Sequence, residues 1–380
     1  MPNAPLPFEL SANDANILAH LGDEYERYDG AVIQPIFMNS LHVVPKDQID
    51  CQENRKFHYG RVSNPTVDLF ERKIAALERG EKALAFASGM AAISSAILAC
   101  VKAGDHIVCV DSAYGPTRVF IDEFLVGKFA CEVTYVDGRA LSDFTNNIKP
   151  NTTLFYLESP TSMTFKLQDL RSIASFAKER GVKTIVDNSW ATPLYQKPLT
   201  MGVDMSVHTA SKYIAGHSDL IAGVCAGSAE IMQDVARVRE MYGGILQPME
   251  AWLCIRGLRS MGVRLATHES AALAIAKRLE AHPAVKAVNH PGLDAYPQRA
   301  LAKSQMSGTT SPLSFELDCD NARARDFVRR LQWFNVGPSW GGFESMVTVP
   351  GGDSALVRIH VGLEDTETLW QDLKESLDKV

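Results

Sequence analysis

Residues 186–219 read VDNSWATPLYQKPLTMGVDMSVHTASKYIAGHSD, and this stretch indicates the fold class of the chain. An apolar run at 184–186 ends in Asp187, and a second run at 205–207 is followed by hydroxyl side chains and Lys212. Short apolar runs bounded by polar residues and glycine are typical of strands in a buried sheet. The stretch therefore predicts two strands, each with a reactive side chain just beyond its end.

Apolar runs of the same kind recur on both sides of this stretch, and segments with helical spacing lie between them. Further strands are predicted at 107–110, 133–136, 153–157 and 221–226. Residues 170–180 place Leu170, Ile173 and Ala177 on one helical face, and Asn64-Pro65 is typical of a helix start. The alternation predicts an α/β fold with a mostly parallel sheet that helices cover on both sides.

The C-terminal third predicts a smaller α+β domain that begins near residues 252–262. Strands are predicted at 285–288, 313–317 and 356–361, a helix at 321–331 and a glycine-rich loop at 337–342. The first sixty residues show little periodicity. We expect three parts: a segment 1–60 that contacts a neighbouring subunit, a large domain 61–255 and a small domain 256–380.

The charge balance excludes several classes of partner. The 380 residues include 45 acidic and 38 basic side chains, for a formal charge of -7. This mild acidity offers no electrostatic footprint for nucleic acid or for an anionic membrane, and it suits a small-molecule ligand. Seven cysteines without a C-x-x-C pair favour reduced thiols over disulfides or a zinc site, and we assign no metal: they are Cys51, Cys100, Cys109, Cys131, Cys225, Cys254 and Cys319.

One uncharged stretch has the length of a membrane span. No charged residue lies between Lys82 and Lys102, but the content is mostly Ala, Ser and Gly with a break at Ser88-Gly89. We expect a strand and a turn that lead into a buried helix. The first ten residues also lack the basic start and apolar core of a secretory signal. The sequence thus predicts no membrane contact and a cytoplasmic location.

Lys212 is the strongest candidate for a reactive group. A lysine is usually a solvated surface charge, but an apolar strand leads this one into a run of hydroxyls and glycine. An amine near a second cation or away from water has a lowered pKa, as Schiff-base formation requires. Asp187 has two interpretations: it caps a turn, or its carboxylate keeps the ring nitrogen of pyridoxal 5′-phosphate (PLP) protonated.

Two other places indicate anion binding. Ser88, Gly89 and Met90 form a strand-to-helix turn whose amides suit a phosphate, and Thr209 and Ser211 offer hydroxyl donors to the same group.

Arg358 lies inside an apolar strand and needs an anionic partner. A substrate carboxylate is one candidate, and a structural ion pair with Glu364 or Asp365 is the other.

Together these residues resemble the Cys/Met-metabolism family of PLP enzymes, which includes cystathionine γ-synthase, the cystathionine lyases and methionine γ-lyase. The resemblance extends over 59–365 and rests on 186–219 together with YGRVSNPT at 59–66, ASGMAA at 87–92, SWGGFES at 339–345 and RIHVGLED at 358–365. It implies the aspartate aminotransferase-like architecture (fold type I), with a mostly parallel seven-stranded sheet in the large domain. It also implies PLP as cofactor and an amino acid as substrate.

The resemblance implies a role for each matching position. Lys212 looks like the Schiff-base lysine and catalyst, Asp187 like the partner of the ring nitrogen, and Tyr114 like a catalytic tyrosine stacked on the ring. The implied phosphate ligands are Ser88, Gly89, Met90, Thr209 and Ser211.

Tyr59 and Arg61 are similar to a pair that reaches the phosphate of a neighbouring subunit, which implies a homotetramer of catalytic dimers. The implied substrate-binding residues are Arg358, Ser339, Trp340 and Tyr59, with Ser339 also orienting Lys212.

Within the family, Trp340 and Pro116 resemble the bacterial cystathionine β-lyase branch. Gly60 departs from the usual Ser, and Pro338 stands where β-lyases tend to have Tyr and γ-lyases Glu. We expect β-elimination of L-cystathionine to homocysteine, pyruvate and ammonia, with γ-elimination or γ-replacement as the alternative. A PLP-binding protein without catalysis is a more distant alternative, because mere binding needs neither Tyr114 nor Arg358.

Overall fold

A computed structural model describes residues 13–47, 49, 56–350 and 355–380, so Cys51 and the first ten residues lie outside the described part. A seven-stranded sheet has the order β1-β7-β6-β5-β4-β2-β3, and only β7 runs antiparallel to its neighbours. The predicted α/β class and mostly parallel sheet are confirmed. The strands are β1 (Lys82–Phe86), β2 (His106–Val110), β3 (Glu132–Val136), β4 (Thr152–Glu158), β5 (Lys183–Asp187), β6 (Met205–His208) and β7 (Gly223–Gly227).

Helices surround this sheet. The N-cap Asn64 accepts hydrogen bonds from the amides of Thr66 and Val67 at 2.9 and 3.4 Å, which confirms the predicted helix start. The helices are α1 (Asp14–His20), α2 (Pro65–Glu78), α3 (Gly89–Cys100), α4 (Gly115–Val119), α5 (Gly127–Phe129), α6 (Leu141–Thr145), α7 (Leu170–Glu179), α8 (Thr192–Tyr195), α9 (Ala229–Tyr242) and α10 (Pro248–Glu280). A π-helix (Phe120–Val126) joins α4 to α5, and 3-10 helices span Tyr25–Tyr28 and Pro198–Met201.

The uncharged stretch forms β1 and α3, as predicted, rather than a membrane span. Ala92, Ile93, Ala96 and Ile97 of α3 are buried, and burial of each isoleucine contributes about 1.5–3 kcal/mol. In the described part of the chain, no helix is long and apolar enough to cross a membrane.

A second sheet of five strands has the order β10-β11-β12-β9-β8. Its strands are β8 (Val285–Asn289), β9 (Leu313–Leu317), β10 (Asn335–Val336), β11 (Met346–Thr348) and β12 (Leu356–His360), and its helices are α11 (Arg299–Gln305), α12 (Asn321–Arg330) and α13 (Thr366–Leu377). The 33-residue helix α10 packs against both α2 and β8 and runs through 252–262. The three-part division of the chain stays a prediction.

Most predicted strands agree with the observed ones to within one residue at each end, but the prediction at 221–226 is wrong at its start. Ile221 is 67% exposed, and Ala222 bonds to Ser211 instead of entering the ladder: Ala222 N donates to Ser211 Oγ over 2.9 Å, and Ser211 N donates to Ala222 O over 3.2 Å. The strand begins at Gly223, where pairing with Phe86 starts. Residues 221 and 222 therefore belong to the loop that carries Lys212 and not to β7.

Candidate active site

The carboxyl ends of β4, β5 and β6 meet at one edge of the large sheet, which is where open α/β sheets bind ligands. Glu158 and Asp187 are the last residues of β4 and β5 and pair in register. Asn188 N donates to Val207 O over 2.9 Å, which joins the end of β5 to β6. The loop after β6 then brings Lys212 to this edge.

The Lys212 amine is held by residues of the loop 337–345. Its Nζ donates to Ser339 Oγ over 2.7 Å and lies 5.4 Å from the centroid of the Trp340 ring. Burial and, to a smaller extent, the nearby positive charge of Arg358 lower the pKa of Lys212 to about 8. The side chain is therefore partly a free amine near neutral pH, as a nucleophile must be.

Asp187 is 6% exposed, and its Oδ1 accepts a hydrogen bond from Ser189 N over 2.9 Å. One oxygen thus has the turn-capping role that the sequence suggested. Burial raises the pKa of Asp187, and His208 acts in the opposite direction. His208 is itself held by a fully buried carboxylate, since its Nε2 lies 2.5 Å from Glu78 Oε1. Asp187 is thus a buried carboxylate beside an imidazole, which suits a cationic ring nitrogen.

Glu158 is a residue that the sequence reasoning missed. It is 4% exposed, and it accepts hydrogen bonds from Tyr114 N over 2.6 Å and from Ser162 N over 2.7 Å. Burial and the neighbouring Asp187 raise the pKa of Glu158 to about 8. The available signal was an acidic residue directly after the apolar run 153–157, as with Asp187. Glu158 fixes the backbone of Tyr114, whose side chain is 45% exposed.

Arg358 is buried and bonds to neutral groups. Nη1 donates to Ser162 O over 3.1 Å and contacts Met163 Sδ at 3.5 Å, and Nη2 donates to Pro338 O over 2.6 Å. Burial lowers the pKa of Arg358 to about 10, still well above neutral.

The alternative of an ion pair with Glu364 or Asp365 is wrong. Glu364 accepts from Ser345 N and Oγ at 2.7 and 2.8 Å, and Asp365 caps α13. Among the described residues, Arg358 forms no ion pair, so its charge is available to a substrate carboxylate.

The start of α3 forms a cradle for an anion. Ser88 Oγ caps the helix by accepting from Ala91 N over 3.0 Å, and the amides of the first turn have no partner within the helix. A Cβ at Gly89 would collide with Thr209 Oγ1, so only glycine allows this close approach. The Thr209 backbone is fixed by a 2.7 Å hydrogen bond to Ser189 Oγ.

Two of the expected phosphate ligands differ in their surroundings. Ser211 Oγ donates to Ala222 O over 3.2 Å and accepts from Ala222 N, so this hydroxyl already supports its own loop. Met90 lies in the first turn of α3, where Thr117 Oγ1 contacts its sulfur at 3.9 Å. The cradle is thus built from α3 amides and Thr209, with Ser211 supporting the loop.

Tyr59 and Arg61 lie next to each other on the surface. Arg61 Nη1 donates to Glu240 O over 2.5 Å, its guanidinium lies 5.5 Å from the Tyr59 ring centroid, and Tyr59 is 45% exposed. Gly60 N donates to Ser40 O over 2.6 Å, and a Cβ at Gly60 would lie 3.0 Å from Asn39 O. The usual Ser at this position would require the neighbouring backbone to shift by a few tenths of an ångström.

Comparison with known proteins identifies the family. The model of the Cys/Met metabolism PLP-dependent enzymes matches residues 15–378. The chain belongs to this family. It is a PLP-dependent C–S lyase, and the predicted family and cofactor are confirmed. The residues fit the cofactor, because a buried carboxylate, an α3 cradle and an amine of lowered pKa match its ring nitrogen, phosphate and aldehyde.

Three relatives differ in reaction but are about equally similar. The chain is 35% identical to cystathionine gamma-lyase of Bacillus subtilis, over 96% of this chain and 99% of the relative. It is 36% identical to cystathionine beta-lyase of Lactococcus lactis, over 95% and 97%. It is 35% identical to the chloroplastic cystathionine gamma-synthase 1 of Arabidopsis thaliana, over 97% and 69%. Overall identity therefore does not distinguish β- from γ-chemistry.

Proposed function

We propose that the chain catalyses β-elimination of L-cystathionine or a related thioether amino acid, with homocysteine, pyruvate and ammonia as products. The observation that carries this proposal is the Lys212 amine, whose pKa is lowered to about 8 and which is held between Ser339 and Trp340. A single amine that is partly deprotonated near neutral pH can serve as both base and acid in turn.

Each site residue has a task in this proposal. Bound PLP supplies an electron sink for the electron pair that a departing Cα proton leaves behind. Lys212 holds the cofactor, then removes the Cα proton and returns a proton to the departing sulfur. Asp187 keeps a proton on the ring nitrogen, and Tyr114 packs on the ring. Arg358 binds the substrate α-carboxylate.

The cradle at the start of α3 would hold the phosphate of bound PLP. The amides of Gly89 and Met90 and the Thr209 hydroxyl donate to it, with Ser88 capping the same helix and Ser211 supporting the loop. Ser339 orients the Lys212 amine, and Trp340 forms one wall of the substrate site. An anchored phosphate, ring and carboxylate fix the Cα–H bond relative to Lys212, which is the orientation that proton removal needs.

The alternative within the family is γ-elimination or γ-replacement. It needs a second proton removal, at Cβ. The relatives named gamma-lyase and gamma-synthase support it, because they are about as similar to the chain as the beta-lyase is. β-Elimination needs only the single Cα proton removal that we assign to Lys212. For this reason we prefer it.

Product analysis with L-cystathionine tests the proposal. We expect pyruvate and homocysteine in equal amounts, while 2-oxobutyrate with cysteine would overturn the β-elimination in favour of the γ-reaction. Lys212→Ala should abolish turnover, because positioned acid–base catalysis alone contributes about 10²–10⁴ in rate. Lys183→Ala is a matched control, since Lys183 is exposed and forms an ion pair with Asp204.

We also propose that the enzyme is a cytoplasmic homotetramer built from catalytic dimers, in which Tyr59 and Arg61 reach the phosphate of the neighbouring subunit. Exposed apolar side chains in the segment that pairs with Tyr59 through Leu41 support an interface: Val32 is 70% exposed, Met38 68% and Leu41 54%. Sedimentation should give a tetramer, and Arg61→Ala should weaken PLP retention. A monomer with full PLP affinity would contradict the proposal.

A further inference from the structure

Strand β12 places two buried side chains on the same face, and both contact the segment 338–342. Side chains two residues apart in a strand point to the same side of the sheet, and Arg358 and His360 are 6% and 1% exposed. Arg358 Nη2 donates to Pro338 O over 2.6 Å, and Gly341 N donates to His360 Nε2 over 3.1 Å. The strand therefore holds the segment at both ends.

The segment lies directly against the Schiff-base lysine. Ser339 accepts the hydrogen bond from Lys212 Nζ at 2.7 Å. Gly341 has a φ of 89°, and a Cβ there would lie 2.8 Å from Tyr213 N and 3.0 Å from Lys212 Cα. With so little space, a shift of the Gly341 end of the segment would move Ser339 relative to the amine.

The His360 ring is also held on the side that faces away from the segment. Its Nδ1 bonds to Ser311 Oγ, and Ser311 N donates to Tyr213 Oη over 2.9 Å. Burial holds the pKa of His360 well below its usual range, with His268 acting in the same direction, so the ring is neutral. Nε2 lies 3.1 Å from both Gly341 N and Gly342 O, so the ring bonds to the segment through this atom in either tautomer.

We propose that His360 is a positioning residue for this reaction: it fixes the Gly341 end of segment 338–342 and so keeps Ser339 within hydrogen-bonding distance of Lys212. This role rests on the proposed function of Lys212 as the Schiff-base lysine. Arg358 binds the other end of the segment while it binds substrate, so the same strand couples the carboxylate site to the orientation of the amine.

A second buried histidine offers a matched control. His268 is 0% exposed, and its ring centroid lies 5.2 Å from that of His360. Its Nδ1 bonds to Val361 O at 2.9 Å, next to β12 and away from the segment, and burial lowers its pKa to about 4. Replacing either histidine removes a buried ring from the same cluster, but only His360 bonds to the segment.

The test compares H360N, H360Q and H268N as holoenzymes. Asn retains a polar atom near the Nδ1 position but has none at Nε2, whereas the Gln amide reaches the Nε2 position. The first measurement, without substrate, is the pH midpoint of the change in Schiff-base absorbance. The second is kcat and KM with L-cystathionine, and thermal unfolding shows that each variant is folded.

We expect H360N to lower the midpoint by about one pH unit, because a hydrogen bond that favours the protonated nitrogen is lost. The same loss should reduce kcat/KM about tenfold, mostly in kcat. H360Q should recover most of both quantities. H268N should lower the unfolding temperature as much as H360N while leaving the midpoint and kcat/KM within about twofold of wild type.

An H360N enzyme that matches H268N in both measurements, or an H360Q enzyme no better than H360N, would overturn the proposal. If H360N does not fold, the same measurements are made on S311A, which removes only the Ser311 hydroxyl that bonds to Nδ1 of His360. It should shift the midpoint in the same direction, and a wild-type midpoint with wild-type kcat/KM would overturn the role of His360. Failure of the proposed function looks different: wild type itself would then form no Schiff base or leave L-cystathionine unchanged.

Discussion

The edge of the large sheet and the segment 338–342 fix their reactive groups by different means. At the sheet edge, Glu158 and Asp187 end neighbouring strands in register, so the backbone ladder sets the distance between them. The segment belongs to no strand, and the side chains of Arg358 and His360 hold it through its backbone. Substitution of the reactive groups themselves should therefore have the largest effect at the sheet edge. In the segment, substitution of the residues that hold its backbone should also matter.

The largest effect is expected at the sheet edge. Asp187→Asn removes the charge that, in the proposed function, keeps the ring nitrogen protonated, and loss of a charge-assisted hydrogen bond should lower kcat about 100-fold or more. Thermal stability of the apoenzyme should change little or rise, because a buried carboxylate is replaced by a neutral amide. Steady-state kinetics and thermal unfolding check the two statements.

Asp204→Asn is the matched control for that variant. Asp204 lies just before β6 and accepts hydrogen bonds from Thr184 N and Oγ1 at 2.9 and 2.8 Å, at the opposite end of β5 and β6 from Asp187 and the lysine. D204N should lose stability and retain kcat. Equal losses of kcat in D187N and D204N would break the distinction between the reactive edge and the rest of the sheet.

Arg358→Lys is the next largest change, and it tests the segment. Lysine retains the positive charge but cannot donate to both Ser162 O and Pro338 O, nor present a fork to a carboxylate. We expect KM for L-cystathionine to rise about 30-fold, with a smaller fall in kcat. A normal KM would show that the carboxylate binds elsewhere.

Glu158→Gln should have an intermediate effect, mainly on stability. The amide nitrogen cannot accept from Tyr114 N or Ser162 N, and one unsatisfied buried donor costs about 1–3 kcal/mol in the free energy of unfolding. Denaturant unfolding of the apoenzyme measures this loss. Glu316→Gln in β9 is the control and should cost far less, because the Glu316 side chain is partly exposed.

The same variant makes a prediction about pH. The folded protein raises the pKa of Glu158 from 4.5 to about 8, so the folded state binds this proton more tightly than the unfolded chain. The stability that results is complete below about pH 4.5 and is lost as the pH rises through about 8. E158Q should therefore lose less stability than wild type between pH 5 and 8. A steeper loss in E158Q would contradict the raised pKa.

The smallest effect is expected for Pro338→Ala. Pro338 contributes its carbonyl to Arg358, and alanine retains that carbonyl. KM should stay within about twofold and stability within about 0.5 kcal/mol of wild type. A large change in KM would show that the proline ring itself shapes the substrate site, and would weaken the view that the segment acts through its backbone.

The sequence predicted the sheet edge better than the segment, for a physical reason. A polar residue at the end of an apolar run, such as Asp187, can be recognised in the sequence. The run predicts a strand, and the residue that follows it lies at the edge of the sheet where ligands bind. His360 lies inside an apolar run, and its role depends on Gly341 and Ser311, which are remote in sequence. Glu158 also follows an apolar run directly, but no pattern in the sequence indicated the group that it binds. The direction of β7 depends on pairing with β1, which no local pattern reveals.

The most direct test of the account is to reduce the holoenzyme with borohydride and map the labelled peptide. Reduction makes the bond between PLP and its lysine permanent, so the label reports which amine holds the cofactor. We predict a single label on the peptide that contains Lys212, and none in K212A. A label on another lysine, or an unlabelled wild-type chain that had bound PLP, would contradict the assignment on which the mechanism depends.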